Sequence, residues 1–419
     1  MLQSAIYRGL YTVITFIAGI IIANILLPSD WGNLSLFIIN AAIISVVTGL
    51  GVDGIMVHSL TNHKWNIKEA LYFFWATAIF QIFLFLIIEG IFISVQGKTI
   101  LSLDGETPVF LEAFYFVGLI LTERYTSLFY SLDKSRIANI LLLVQAILFF
   151  LLLLFIKKQF NISYYTILYI ICLQTFIQGI LLASIFHIWV QKPLYQQIPW
   201  KFFFNALKLS LVVMVTNFIQ FIAYRIDFYL LKKYHSEFEV GIYAQANKFA
   251  NLMWIVPGIL AFLIMSKLKR IDKEKMPALF KVAIFINMLI LIATIFITNI
   301  IYAYFLHPSY SLGLKPFYLM LPGYFLFSLV LYLSAYCSWL GKFQYNLLGS
   351  SICLIIILIA DLILIPAYSI RGAAISNTIA YSFVFLFYLF IINRKFAYKF
   401  WKFNLPQKKD FHFLLNQLK

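Results

Sequence analysis

The chain of 419 residues is 63% hydrophobic and 11% charged, with a formal net charge of +16 and a mean hydropathy of +0.92. Soluble domains carry roughly a quarter charged residues, so a soluble globular fold is excluded and an all-α polytopic membrane protein is expected. Cys172, Cys337 and Cys353 fall singly inside apolar segments, which leaves no disulfide framework, no CxxC pair and no metal site to read.

Runs of about twenty apolar residues, broken by Lys, Asp, Pro and Gly clusters, give twelve expected transmembrane helices. They cover 5–27, 34–57, 70–95, 108–130, 137–156, 163–190, 204–231, 238–265, 278–305, 315–340, 344–366 and 370–393. The first run is too long for a removable signal peptide and lacks a small-residue cleavage site. Pro366 and Gly372 mark the turn between the last two runs, which only IPAYSIRG separates.

Charge sets the expected orientation. With the N-terminus in the cytoplasm, 21 of the 32 basic residues fall on the inner side, among them Arg8, Lys64, Lys134, Lys201, the 267–281 group and the seven after Asn393. The outer loops hold seven: Lys98, Lys157, Lys158, Lys232, Lys233, Lys315 and Arg371. This bias fits the positive-inside rule with both termini cytoplasmic. It accounts for the basic pI without a nucleic-acid partner. The tail 394–419, with its KFAYKFWKF mixture, reads as a basic segment beside anionic lipid headgroups or as an unstructured basic tail.

An N-terminal six-helix lobe (1–192) and a C-terminal one (202–393) are expected, joined by a cytoplasmic connector (193–201). Six spans per half make the repeats parallel, related by a pseudo-two-fold along the membrane normal. Such halves commonly rock around a central site. In the first half LLPSDWGNLSLF leaves one span and re-enters on a Gly. In the second, RIDFYLL is followed by EVGIYAQANKFANLMWIVPGILAFLIMSKLKR, and IPAYSIRGAAISN precedes the last span. These segments resemble the multidrug/oligosaccharidyl-lipid/polysaccharide flippase superfamily, in its polysaccharide transporter branch. The first turn departs from the family pattern, with Pro-Ser-Asp-Trp-Gly where Gly-Pro-Glu-Tyr-Gly is usual. Ser266 stands where a proline often ends span eight.

The resemblance implies a flippase for a polyprenyl-diphosphate-linked oligosaccharide, such as an O-antigen or capsule repeat unit. The cargo moves from the inner to the outer leaflet of a bacterial inner membrane by alternating access. No catalytic residue and no cofactor are implied. The implied partners are the lipid-linked glycan, membrane lipids, and glycan polymerase and assembly proteins.

A diphosphate calls for cations, and a sugar chain for amides, hydroxyls and aromatic rings. Lys248 is about ten residues from the outer end of the apolar stretch 241–265, near the bilayer midplane at about 1.5 Å per residue. Asn247, Lys248 and Asn251 share an arc of about 100°, with Trp254 nearby. An ammonium at that depth is costly and calls for an anion, a wet cavity or a buried carboxylate partner. Span seven puts Asn217, Gln220, Tyr224 and Asp227 within about 80°, with Arg225 about 160° from Asp227. Arg225 reads as a cargo contact or as an interfacial anchor. Arg8 shares a face of span one with Tyr11, Thr12 and Thr15, lining a cavity or snorkelling to the interface. Arg124 is a further candidate cation.

Asp227, Glu123, Glu112 and Asp53 are the candidates for coupling to a proton or sodium ion. Glu112, Tyr115, Glu123, Thr126 and Tyr130 fall on one face of span four. Ion pairing with neighbouring spans is the plainer reading of those acids. Asp53, in GLGVDG, sits among glycines that permit close packing or bending. Glu89 and Asp361 read as interfacial.

Three other functions compete. A drug or metabolite exporter of the same superfamily favours acids over bases in its cavity. A lipid-linked peptidoglycan precursor flippase usually carries more than twelve spans. A membrane glycan polymerase or glycosyltransferase needs a sizeable outer loop, and the longest here is about the dozen residues QGKTILSLDGETP.

Overall fold

A computed structural model describes residues 2–61, 65–159, 162–190, 200–267, 276–340 and 342–395. The connector residues 191–199, the basic residues of 268–275 and the tail after Lys395 lie outside them. The described residues form helices and no strand. In the first half these are α1 (Leu2–Ile25), α2 (Pro28–Thr48), α3 (Val52–Thr61), α4 (Ile67–Gln96), α5 (Val109–Ser131), α6 (Ser135–Gln159) and α7 (Tyr164–Val190). Then come α8 (Trp200–Tyr234), α9 (Glu237–Ala250), α10 (Leu252–Lys267), α11 (Met276–Tyr304), α12 (Leu314–Trp339) and α13 (Phe343–Lys395). A short 3₁₀ turn, Pro308–Gly313, precedes α12.

The twelve expected helices are present. Among the described residues, eight stretches are long and apolar enough to cross a membrane, the last covering both arms of α13. Three junctions differ from the sequence expectation. Pro28 opens α2, so the polar PSDWGN segment is helical instead of a loop. Proline is tolerated at a first helical position, where its missing N–H has no partner to lose. Span two is broken at residues 49–51, and span eight at Asn251.

The last two spans are joined by a single non-helical residue, Ser369 (φ 50°, ψ −132°). A Cβ on Gly372 would fall 2.2 Å from the Leu364 carbonyl oxygen. Eight residues of straight helix rise about 12 Å, so the chain folds back on itself here.

Two compact units divide within α8: Met1–Phe218 and Ile219–Lys419. In the first, α5 and α7 meet through Gly118 and Gly179. A Cβ on Gly118 would sit 2.5 Å from the Thr175 backbone. Gly118→Ala is therefore expected to cost about 1–3 kcal/mol by overpacking, read as a lower melting temperature in detergent.

The same unit contains the break in span two. Leu50 and Gly51 both have positive φ (53° and 67°), and a Cβ on Gly51 would fall 2.3 Å from the Ser210 carbonyl oxygen of α8. Helix α4 starts with a capping box, Asn66 and Glu69 each accepting the other's backbone N–H.

The α4–α5 loop is tied inward. Glu89 accepts from the Ile100 N–H, and Glu112 accepts from the N–H groups of Leu101 and Ser102 and the Ser102 hydroxyl. Asn40 of α2 donates to the carbonyls of Ile100 and Leu101. Glu89 is thus buried, not interfacial as its place near a span end had implied.

In the second unit, α12 and α13 pack closely at Gly323, where a Cβ would fall 2.5 Å from Thr378 Cα. The Thr378 hydroxyl donates to the Leu319 carbonyl oxygen at 2.6 Å.

Candidate functional site

The second unit gathers Arg225, Asn247, Lys248, Asn251 and Asp227 into two adjoining clusters. The first centres on Asn247. Its Oδ1 accepts from Arg225 Nη1 at 3.2 Å and from Asn251 Nδ2 at 2.7 Å, and its Nδ2 donates to the Tyr324 hydroxyl at 2.8 Å. Arg225 also lies over the Phe228 ring. It is half-buried and bonded to α9, so an anchor held only by the interface is not what the structure shows.

Helix α9 stops at Asn251, whose N–H bonds the Asn247 carbonyl oxygen. Lys248 stands in the last turn of α9, and Asn251, with helical φ and ψ (−62°, −19°), leads directly into α10. Lys248 is half-buried, as is Asn251.

Aromatic rings back this cluster. Trp254 stacks on Tyr324 with centroids 4.4 Å apart and planes 12° apart, and its indole N–H donates to the Tyr324 carbonyl oxygen. Tyr224, Phe327 and Tyr381 surround the indole at 5.0–5.6 Å. The expected stripe of span seven is thus turned into packing. Tyr224 joins the rings, and Gln220 accepts from the Ser350 hydroxyl. Asn217 is exposed and lies in the other unit.

The second cluster centres on Asp227. Its Oδ2 accepts from the Tyr243 hydroxyl and from Asn377 Nδ2 (3.1 Å), and Asn377 Nδ2 also donates to the Tyr243 oxygen at 2.6 Å. Asp361 lies near enough for its charge to repel that of Asp227, with the Ser376 hydroxyl beside it. All five residues are buried. Among the described residues, both oxygens of Asp361, Ser376 Oγ and Asn377 Oδ1 have no hydrogen-bond partner. Buried polar atoms are rarely left so, and a carboxylate least of all. The oxygens of two carboxylates, one amide and two hydroxyls suit a hard cation. Asp361 is therefore buried among polar groups of the second unit.

The first unit holds a different polar cluster. Arg124 is 2% exposed and donates to the Phe74 carbonyl oxygen (3.0 Å), Thr77 Oγ1 (2.9 Å) and Gln81 Oε1 (2.6 Å). Its Nε is 3.7 Å from Asp53 Oδ1. Gln81 in turn donates to the Ser45 carbonyl oxygen at the end of α2. Arg124 thus ties α4 to both sides of the break in span two. It is no open cation for cargo, because its donors are already engaged.

Glu123 is exposed and near Asp53. Glu112 holds the α4–α5 loop, so the expected shared face with Glu123 does not form one site. Arg8 is half-buried over the Tyr11 ring, and the hydroxyls of Thr12 and Thr15 bond back to carbonyls of their own helix.

Sequence reasoning placed Asp361 at the interface and passed over Ser376, Asn377, Tyr243 and Tyr324. An acid in the middle of ICLIIILIADLILI and an Asn inside the last apolar run were the signals for two of them. Tyrosines in a chain with 26 of them gave none.

No family model and no curated protein matches this sequence. Solved structures do. The chain is similar to the lipid II flippase MurJ in an inward closed conformation, with 15% identity, 100% of this chain and 91% of that chain covered, and a TM-score of 0.73. The chain has the fold of the MOP-superfamily transporters. An inward-facing multidrug resistance MATE family transporter of that superfamily matches at 14% identity over 92% and 94% of the two chains, with a TM-score of 0.67. A MOP superfamily transporter from Pyrococcus furiosus, described as having a binding pocket of reverse polarity, matches at 14% identity over 94% of each chain, with a TM-score of 0.59. Among these neighbours the fold is carried both by a lipid II flippase and by a multidrug resistance transporter.

Proposed function

We propose that this protein is a flippase for polyprenyl-diphosphate-linked oligosaccharide repeat units, of O-antigen or capsule type, working by alternating access in a bacterial inner membrane. Both termini lie in the cytoplasm, as the charge bias favours. The observation that carries this reading is the Arg225–Asn247–Asn251 cluster with Lys248 beside it. Two cations, an amide and an aromatic platform stand together on helices of an apolar protein. Arginine meets a diphosphate with a planar fork, and lysine adds a compact charge. An amide and the indole of Trp254 suit hydroxyls and the C–H faces of a sugar. The Asp227–Asp361 cluster supplies the coupling step, taking a sodium ion or proton whose gradient drives the cycle.

A cation-coupled drug exporter is the second reading, favoured by those same two buried carboxylates and by the likeness to a MATE transporter. One experiment separates them: expression in a strain that lacks its own repeat-unit flippase. Wild type is expected to restore surface glycan, and Lys248→Ala at equal expression to reduce it at least about tenfold, the effect of roughly 1.4 kcal/mol. Normal glycan from Lys248→Ala overturns the role of that lysine. Equal accumulation of lipid-linked repeats with and without wild type overturns the flippase reading and leaves the exporter.

A further inference from the structure

We propose that α9 links the two clusters of the second unit, with Tyr243 and Asn247 as the positioning residues that transmit cation binding to the cargo surface. This rests on the reading above, in which Arg225 and Lys248 meet an anionic cargo and Asp227 meets the coupling cation. Arg225 and Asp227 lie two residues apart on α8 but about 160° apart around it, so they do not pair within the helix. Each is instead bonded to α9. Asp227 accepts from Tyr243, and Arg225 donates to Asn247. Tyr243 and Asn247 are four residues apart, one above the other on a single helix face.

Asn247 has at most one N–H left for cargo. An amide oxygen offers two lone pairs, and both are taken, by Arg225 and Asn251. One N–H goes to Tyr324, on which Trp254 is stacked. The residue is 2% exposed. Its place is behind the cargo surface, holding Arg225, Asn251 and Tyr324 in fixed relation.

The other end of the link is the carboxylate. A sodium ion on Asp227 Oδ2 competes for the lone pairs that the Tyr243 hydroxyl and Asn377 Nδ2 fill, while Oδ1 already accepts the Phe228 N–H. The hydroxyl can serve the ion only through its oxygen, with its hydrogen turned elsewhere. Asn377 can serve it through Oδ1, which has no partner among the described residues. Both donors therefore reorient when the ion arrives. Tyr243 is carried by α9, so a shift of its ring that brings the oxygen onto the ion is passed along the helix to Asn247 and its three partners.

The test is binding of farnesyl diphosphate, a short isoprenoid diphosphate, to the purified full-length protein, in sodium and with choline replacing sodium. In wild type, sodium is expected to change the affinity about fivefold or more, the lower end of usual coupling between sites. Tyr243→Phe keeps the ring and loses the hydroxyl, and Asn247→Leu keeps the bulk and loses the amide. Each is expected to bring the sodium-to-choline ratio to about one. Sodium should still raise the melting temperature of Asn247→Leu, since Asp227 and Asp361 are intact. Asn251→Ala should weaken binding and keep the wild-type ratio.

A wild-type ratio in Tyr243→Phe and Asn247→Leu overturns the proposal, and so does a wild type that binds the diphosphate with no sodium response. A wild type that binds no farnesyl diphosphate in either salt overturns the cargo reading, and the proposal with it. If Tyr243→Phe does not fold, Asn247→Leu decides alone.

Discussion

Asp227→Asn is expected to abolish transport and leave the protein folded. The amide has the volume of the carboxylate and an oxygen to accept from Tyr243 or Asn377, so the buried network keeps most of its bonds. It loses the charge that attracts a cation. A fall in the rate of glycan export of at least about a hundredfold is expected, equivalent to roughly 2.7 kcal/mol on the transport barrier. Asp361→Asn should act in the same direction, because the proposed coupling site draws on both carboxylates. Asp227→Ala is a different experiment. It strands the Tyr243 hydroxyl and the Asn377 amide, each costing about 1–3 kcal/mol when buried without a partner. Poor expression is the expected result there. Wild-type export by Asp227→Asn in the flippase-deficient strain would falsify the coupling role.

Arg124→Met should be the most destabilising single change in the first unit, by about 3–5 kcal/mol. It leaves Asp53 without its counter-charge and removes the donor from Phe74, Thr77 and Gln81 together. The Asp53 side chain is 40% exposed, which places the cost toward the lower end. Arg124→Lys should recover only part of it. One ammonium does not reach three acceptors that a planar fork spans. The double variant Arg124→Met with Asp53→Asn should melt above Arg124→Met alone, because the unpaired charge is gone. These are melting temperatures of purified protein in detergent. An unchanged value for Arg124→Met would show that the pair and its bonds contribute nothing to holding span two across its break.

The number and order of the helices were legible because apolar runs and charged breaks are separate signals on a 419-residue chain. Where a helix pauses without a polar break, the signal vanishes. Asn251 ends α9 inside a run that reads as continuous. The GLGVDG glycines did announce a bend in span two, and Leu50 and Gly51 place it. Angular arithmetic around one helix found Asn247, Lys248 and Asn251, and correctly separated Arg225 from Asp227. It gave no account of what a neighbouring helix brings. Asn247 was read as a cargo contact because nothing in the sequence places Tyr324 against it. Glu112 was read as a coupling acid because its loop partners, ten and eleven residues upstream, carry no pattern that shows a fold-back. Asp361 was misjudged because depth along a span says little about the face a residue occupies.

The turn at Ser369 bears on how this protein is made. The two arms of α13 are parted by one residue, with Tyr368 and Arg371 exposed on either side of it. No hydrophilic stretch exists to hold the end of the first arm in water while the second is still being synthesised. A lone arm would also present the Asp361 carboxylate to lipid, a costly state before Ser376 and Asn377 arrive on the second arm. The two arms are therefore best delivered to the bilayer together, as a hairpin already closed. A chain cut between them loses the carboxylate's shelter as well as a helix.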